Sequence, residues 1–310
     1  MSHTFIRTAG IVGVAALTTL SLTACGSETS GETITFAAVP SESSTSLESS
    51  FENITKLLEQ ETGATVEFQN ASDYAAVIEG MRAGQIDVAS FGPFSYVIAK
   101  DSGVNMEAAA SPTHDENEPP AYTSLAYVKS DNNDIQGLED LEGKKVCFVD
   151  QASTSGYLVP MKGLMDAGLD METDLEQVLA GGHDASLLSL DTGNCDVAFA
   201  HDTMLMTLEN SGQIESGAVK PIWESDPITE DPLSVNFESL GEETANQVME
   251  ILRTKANKPA LVEAGICESE ESCELPEEIE YGYVEVTDAD FDPIREICEV
   301  TNAEACENVG

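Results

Sequence analysis

The stretch Lys145-Val146-Cys147-Phe148-Val149-Asp150-Gln151-Ala152-Ser153-Thr154-Ser155-Gly156-Tyr157 passes from an apolar run straight into hydroxyl side chains and a glycine. A short apolar run followed by Ser, Thr and Gly is the pattern of a buried strand that ends where a helix begins. The first turn of a helix presents backbone N–H groups with no intrahelical acceptor, at the positive end of the helix dipole. Ser153, Thr154 and Ser155 would add rotatable O–H donors to them, so the segment reads as a cradle for an oxyanion that needs no lysine or arginine. A plain helix cap by Ser153 or Thr154 is the competing reading.

The same strand-loop-helix grammar extends on both sides. Upstream, the pattern predicts a strand over Ile34 to Pro40 and a helix through Phe51, Ile54, Leu57 and Leu58. It continues with a strand from Ala64 to Gln69, a helix capped by Ser72-Asp73 with Tyr74, Val77, Ile78 and Met81 on its apolar side, and a strand from Ile86 to Phe91. The polar, proline-rich interval His114 to Pro120 marks a crossing, with an extended run from Tyr122 to Val128 beyond it. Downstream of the cradle, a helix is expected to Ala167, a strand near Gln177 to Ala180, a helix near Ser186 to Thr192 and a strand over Cys195 to Ala200. Lys220 to Trp223 reads as the return crossing, and Glu242 to Leu261 as a helix that rejoins the first lobe.

Such alternation predicts an α/β protein with sheets flanked by helices. The expected architecture is two mixed sheets in two lobes, residues 34–122 plus 230–310 and residues 123–229, with a ligand cleft between them. Gly181-Gly182-His183-Asp184 follows one strand and precedes one helix, so His183 would stand at the carboxyl edge of a sheet, where open α/β folds bind ligands. An exposed loop histidine is the alternative. Tyr74 is equally readable as a packing residue. Ser90-Phe91-Gly92-Pro93-Phe94 would line the opposite edge of the cleft, its phenylalanines either shaping the pocket or packing in the core.

The N-terminal residues read as an export signal. Arg7 precedes an apolar run from Gly10 to Leu22, and small residues lead into Cys25 in Leu22-Thr23-Ala24-Cys25-Gly26. Cleavage after residue 24 would leave Cys25 as a lipidated N-terminus, with residues 25–33 as a polar tether holding the protein to the outer face of the cell membrane. Of the seven cysteines, six remain, an even number suited to an oxidising compartment. The expected disulfides are Cys147 with Cys195, Cys267 with Cys273 and Cys298 with Cys306. A zinc site is disfavoured because the spacings are not those of paired Cys-x-x-Cys knuckles. No metal or other cofactor is expected, and the chain is expected to be a monomer. The formal charge of −44 excludes nucleic acid as a partner.

Several separated motifs resemble the phosphate/phosphite/phosphonate family of ABC-transporter binding proteins, the PhnD-like group, over essentially the whole mature chain. They are Ser72-Asp73-Tyr74, Ile78-Glu79-Gly80-Met81, Gly84-Gln85-Ile86-Asp87-Val88-Ala89, the cradle itself, Gly182-His183-Asp184, Asp196-Val197-Ala198, Tyr283-Val284-Glu285 and Asp292-Pro293-Ile294-Arg295. The resemblance implies a two-lobed type II periplasmic-binding-protein fold, a small phosphorus oxyanion as ligand and an ABC permease as partner. It assigns ligand contacts to Tyr74, Tyr122, Ser153, Thr154, Ser155 and His183, and an acidic residue near the pocket to Asp231. The acid that aminophosphonate-binding members add aligns with Thr203. The acidic C-terminal stretch departs from shorter members and reads as a surface elaboration. Two other functions compete: a binding protein for a sulfonate, sulfate or carboxylated nutrient, and a phosphoesterase with a serine nucleophile and His183 as base. The latter lacks a Gly-x-Ser-x-Gly elbow.

Overall fold

A computed structural model of the protein describes residues 33–276 and 279–307. The export signal, Cys25 and all of the tether but Thr33 lie outside the described residues.

In chain order the first strands and helices are β1 (Thr33–Ala38), α1 (Ser44–Ser50), α2 (Glu52–Thr62), β2 (Thr65–Gln69), α3 (Tyr74–Arg82), β3 (Val88–Ser90), α4 (Pro93–Asp101) and β4 (Met106–Thr113). The chain continues through β5 (Ala121–Tyr122), β6 (Ser124–Lys129), β7 (Lys145–Phe148), α5 (Val159–Asp166), β8 (Glu176–Leu179), α6 (His183–Asp191), β9 (Val197–His201) and α7 (Met204–Asn210). It ends with β10 (Val219–Glu224), β11 (Ile228–Thr229), β12 (Leu233–Asn236), α8 (Phe237–Lys255), α9 (Lys258–Glu263), β13 (Gly282–Glu285), α10 (Asp292–Thr301) and α11 (Glu304–Glu307).

Two mixed sheets result. One runs β13-β4-β12-β3-β1-β2, the other β10-β6-β9-β7-β8. Within each, three strands are parallel, β2-β1-β3 and β8-β7-β9, and the strand added next to the last of them is antiparallel. The two sheets therefore repeat one arrangement, which puts the carboxyl ends of six parallel strands at two equivalent edges. The short antiparallel pair β5 and β11 is where the chain leaves one sheet for the other and returns. This is the two-lobed α/β architecture expected from the alternation.

Local chemistry fixes where the elements start. Asp73 caps α3, its carboxylate accepting from Ala76 N at 2.8 Å. Asn236 caps α8 while its amide donates to Met81 O (2.8 Å) and Ile86 O (3.2 Å), tying the helix start to the loop before β3. Pro93 at the first turn of α4 gives up an N–H that would have no helical partner.

Four sequence expectations change in the structure. Lys220 to Trp223 is not the crossing: it lies inside β10, paired antiparallel with β6, and the return comes later at β11. The helix expected over Glu242 to Leu261 starts earlier, at Phe237 with a bend at Gly241 (φ 73°), and is divided after Lys255, where Asn257 caps α9. The second lobe's next helix starts at His183, not Ser186, so that histidine is in the helix's first turn. The C-terminal stretch is more than a surface elaboration. Residues 268–272 are exposed, but β13 extends the larger sheet beside β4, and Phe291 and Ile294 are buried with Tyr96 and Val97.

The sulfurs of Cys147 and Cys195, Cys267 and Cys273, and Cys298 and Cys306 are bonded, with Cα atoms 5.8, 5.3 and 5.8 Å apart. The first ties β7 to the entry of β9 inside the smaller sheet, and both of its cysteines are buried.

Candidate ligand site

Each of the six parallel strands delivers a residue to one small cavity. From the larger sheet come Ser41 after β1, Tyr74 after β2 and Gly92 after β3. From the smaller sheet come Ser153, Thr154 and Ser155 after β7, His183 after β8 and His201 at the end of β9. Tyr122 in β5 and Asp231 just past β11 complete the wall. The space open inside is about 10 Å³, the scale of a single water molecule. All seven residues named from the sequence as ligand contacts thus face one cavity, joined by Ser41, Gly92 and His201.

The cradle is wider than a simple α-helical start. Thr154–Leu158 forms a π turn, with Leu158 N donating to Ser153 O at 3.1 Å, before α5 continues. Ser153 caps it, its Oγ accepting from Gly156 N at 3.1 Å. The capping reading is realised at Ser153. Gly156 is required here: an added methyl would overlap Val149 and crowd Ser153 Oγ at 2.8 Å. Thr154 Oγ1 accepts from Phe94 N at 2.8 Å, which uses a lone pair and leaves its O–H for another acceptor. Ser124 Oγ donates to Ser155 O at 2.6 Å and anchors the turn from β6.

His183 is buried, not an exposed loop residue. Its Nδ1 accepts from the backbone N–H of His201 at 3.1 Å, so in the neutral ring the proton resides on Nε2. That N–H faces the cavity with Ser153 Oγ 3.5 Å away. His201 packs edge-on against it, ring centroids 4.7 Å apart. Burial, and then the neighbouring His201, push the His183 imidazole well below its ordinary value. Burial likewise lowers His201 to about 4, opposed by Asp202. Both rings are neutral near pH 7.

Tyr122 is buried, and its ionisation is pushed well up by burial and then by the Asp231 and Glu230 carboxylates, so its hydroxyl keeps its proton. The nearby Ser155 and Thr154 hydroxyls act in the opposite direction. The lining holds one carboxylate, Asp231, and no lysine or arginine among the described residues. Gly92 lets the two edges approach, because a side chain there would meet Thr154 Oγ1 at 3.2 Å and Asp231 Oδ1 at 3.9 Å. Phe91 and Phe94 are fully buried in the core and do not line the cavity; their segment contributes Gly92 and the Phe94 N–H instead.

The buried histidines also set a pH dependence. The unfolded chain binds protons at these two positions below about pH 6.5, which the folded rings refuse until much lower pH. Stability from this source is therefore full above pH 6.5 and falls as pH drops towards 4. Urea unfolding between pH 7 and 4.5 is expected to show a shallower loss of stability for His201→Asn than for the unsubstituted chain; parallel slopes would contradict the assignment.

The architecture and the wall of neutral donors at facing sheet edges define a substrate-binding protein of the type II periplasmic class. The chain belongs to the ABC transporter, phosphonate, periplasmic substrate-binding protein family, whose profile matches residues 36–271. It is 42% identical over 284 residues to the phosphate-import protein PhnD of Mycolicibacterium smegmatis, covering 89% of this chain and 88% of that one. With the phosphonates-binding periplasmic protein of Escherichia coli it shares 27% identity over 263 residues, 84% of this chain and 76% of the relative. Among solved structures it resembles the binding-protein component of an ABC phosphonate transporter from Pseudomonas aeruginosa. That match has a TM-score of 0.74 and 26% identity, and covers 90% of this chain and 91% of the other.

Sequence reasoning passed over Ser41 and His201 as site residues, and took Gly92 only as part of the Ser90–Phe94 segment at the cleft edge. Each follows a parallel strand, so the rule that had singled out His183 applies equally to them. What hid them is that a serine, a glycine and a histidine at a strand end carry no local mark of facing a common cavity.

Proposed function

We propose that the protein captures a small phosphorus oxyanion in this cavity outside the cytoplasm and presents it to an ABC permease. The observation that carries the reading is the convergence of the Ser153-Thr154-Ser155 turn with two neutral histidine rings and the protonated Tyr122 around a space for a very small ligand. Four or five hydrogen bonds to a charged group, each contributing about 1.5–3 kcal/mol, give about 6–15 kcal/mol before ordering costs, a range that spans the roughly 8 kcal/mol of micromolar binding. Asp231 refines the choice of anion. A carboxylate beside a dianion is repulsive unless the ligand brings a hydrogen to it, as phosphate does through its P–OH and sulfate at neutral pH does not. The names of the M. smegmatis and E. coli relatives support phosphorus ligands.

The lobes are residues 34–122 plus 230–310 and residues 123–229. Two hydrogen bonds join them at the cavity, Phe94 N to Thr154 Oγ1 (2.8 Å) and His183 N to Ser41 O (2.7 Å). These bonds belong to a closed form, and opening at β5 and β11 would break both and admit the ligand. Mature chain monomers anchored through a lipid on Cys25 would keep the binding protein beside its permease.

The protein is not an esterase in this reading. A serine nucleophile needs a base with a free ring nitrogen, and the ring itself must be oriented by an acceptor on its other nitrogen. Here His183 Nε2 already holds the proton and Nδ1 faces a backbone donor, the reverse arrangement. Thermal unfolding checks the ligand class. At about 100 times its Kd a ligand adds about 2.7 kcal/mol to stability, so phosphate is expected to raise the melting temperature by several degrees and sulfate to leave it unchanged. An equal shift with sulfate would favour the sulfate or sulfonate reading.

A further inference from the structure

We infer that His201 is a ligand-reading residue of this site, donating its Nε2–H to an oxygen of the bound anion. The inference rests on the reading of the cavity as an oxyanion site and adds to it a contact that the family motifs did not assign.

His201 is the last residue of β9, lies 5% exposed and lines the cavity beside His183. Its Nδ1 is engaged with Thr203 Oγ1 at 3.1 Å, and its backbone N–H is given to His183. Its Nε2 is sealed from solvent and has no hydrogen-bond partner. The large majority of buried polar atoms in folded proteins are paired, and an orphaned one beside a cavity calls for a partner there. The cavity is where such a partner would sit.

With Thr203 donating its O–H to Nδ1, the ring proton is on Nε2. The same ring then offers a donor, suited to an anion and matching the donor character of His183, Tyr122 and the hydroxyl turn. Thr203 acts here as a positioning residue, since it reaches the ligand only through the ring. A neutral hydroxyl at Thr203 holds His201 as a donor without adding a second carboxylate.

His201 also lines a wider groove of about 520 Å³, as does Ser41, with Met204 and Lys258 further along its wall. The two residues stand between that groove and the small cavity. An anion held by His201 is therefore enclosed at the end nearest the larger space, which disfavours ligands with long substituents.

Phosphate titrations of the unsubstituted chain and His201→Phe test the inference, together with imidazole ¹⁵N spectra of the unsubstituted chain, which has only four histidines. His201→Phe is expected to lower phosphate affinity at least tenfold with its circular dichroism retained. The spectra are expected to show His201 protonated on Nε2, with that nitrogen's shift moving on addition of phosphate. Should the variant not fold, the spectra alone decide. Unchanged affinity, an Nδ1-protonated ring or a shift indifferent to saturating phosphate would overturn the role of His201. If the unsubstituted chain binds neither phosphate, phosphite nor methylphosphonate, it is the oxyanion reading itself that fails.

Discussion

Thr154→Val is expected to weaken phosphate binding about 100-fold. The substitution keeps the β-branched shape in a buried turn and removes one hydroxyl. That hydroxyl makes two interactions that open the gap. As a donor it faces the cavity, and a hydrogen bond to a charged group contributes about 1.5–3 kcal/mol. As an acceptor it takes the N–H of Phe94 at 2.8 Å, which joins the two sheet edges in the closed form. Valine would leave that N–H buried without a partner each time the protein closed, at a further cost of about 1–3 kcal/mol. Even the lower halves of these ranges sum to roughly a hundredfold in affinity. Calorimetry of the variant is the check, and a loss under threefold would mean that neither role exists.

Removal of the Cys147–Cys195 disulfide is expected to cost about 4 kcal/mol of stability. The bond closes a loop of 48 residues, for which chain-entropy arguments give a stabilisation of that size. Both cysteines are buried against Leu187, Leu190 and Ala198, so Cys147→Ala/Cys195→Ala also loses packing. The bond has a functional side. It ties β7, which feeds the hydroxyl turn, to the start of β9, which ends in His201. Urea unfolding of the double variant is expected to show a midpoint well below that of the oxidised parent. A loss below 1 kcal/mol would show that the sheet holds its own register without the bridge.

The parts of this molecule legible in the sequence are those fixed by near neighbours. The Lys145–Tyr157 stretch shows its strand, its hydroxyls and its glycine within 13 consecutive residues, and the structure builds the cradle from those same positions. Asp73 capping the Tyr74 helix is equally local. Positions fixed by distant partners were hidden. Trp223 looks like a crossing until β6 is seen to pair with it. The tautomer of His183 depends on a backbone N–H 18 residues away, and the value of Gly92 depends on Thr154 and Asp231. The π turn was also invisible, because a five-residue backbone bond and an α-helical start use the same side chains. Helix starts slipped by a few residues, at His183 and Phe237, where a glycine or an asparagine cap outweighed the apolar period.

The central claim is that this cavity holds a small phosphorus oxyanion, and it is tested most directly by calorimetric titration of the chain lacking residues 1–25 with phosphate, phosphite, methylphosphonate, 2-aminoethylphosphonate and sulfate. The account expects micromolar or tighter binding of at least one small phosphorus anion, one ligand per chain, and no heat of binding with sulfate. Binding of sulfate as tight as that of any phosphorus anion, or no binding of any of the five, would contradict it.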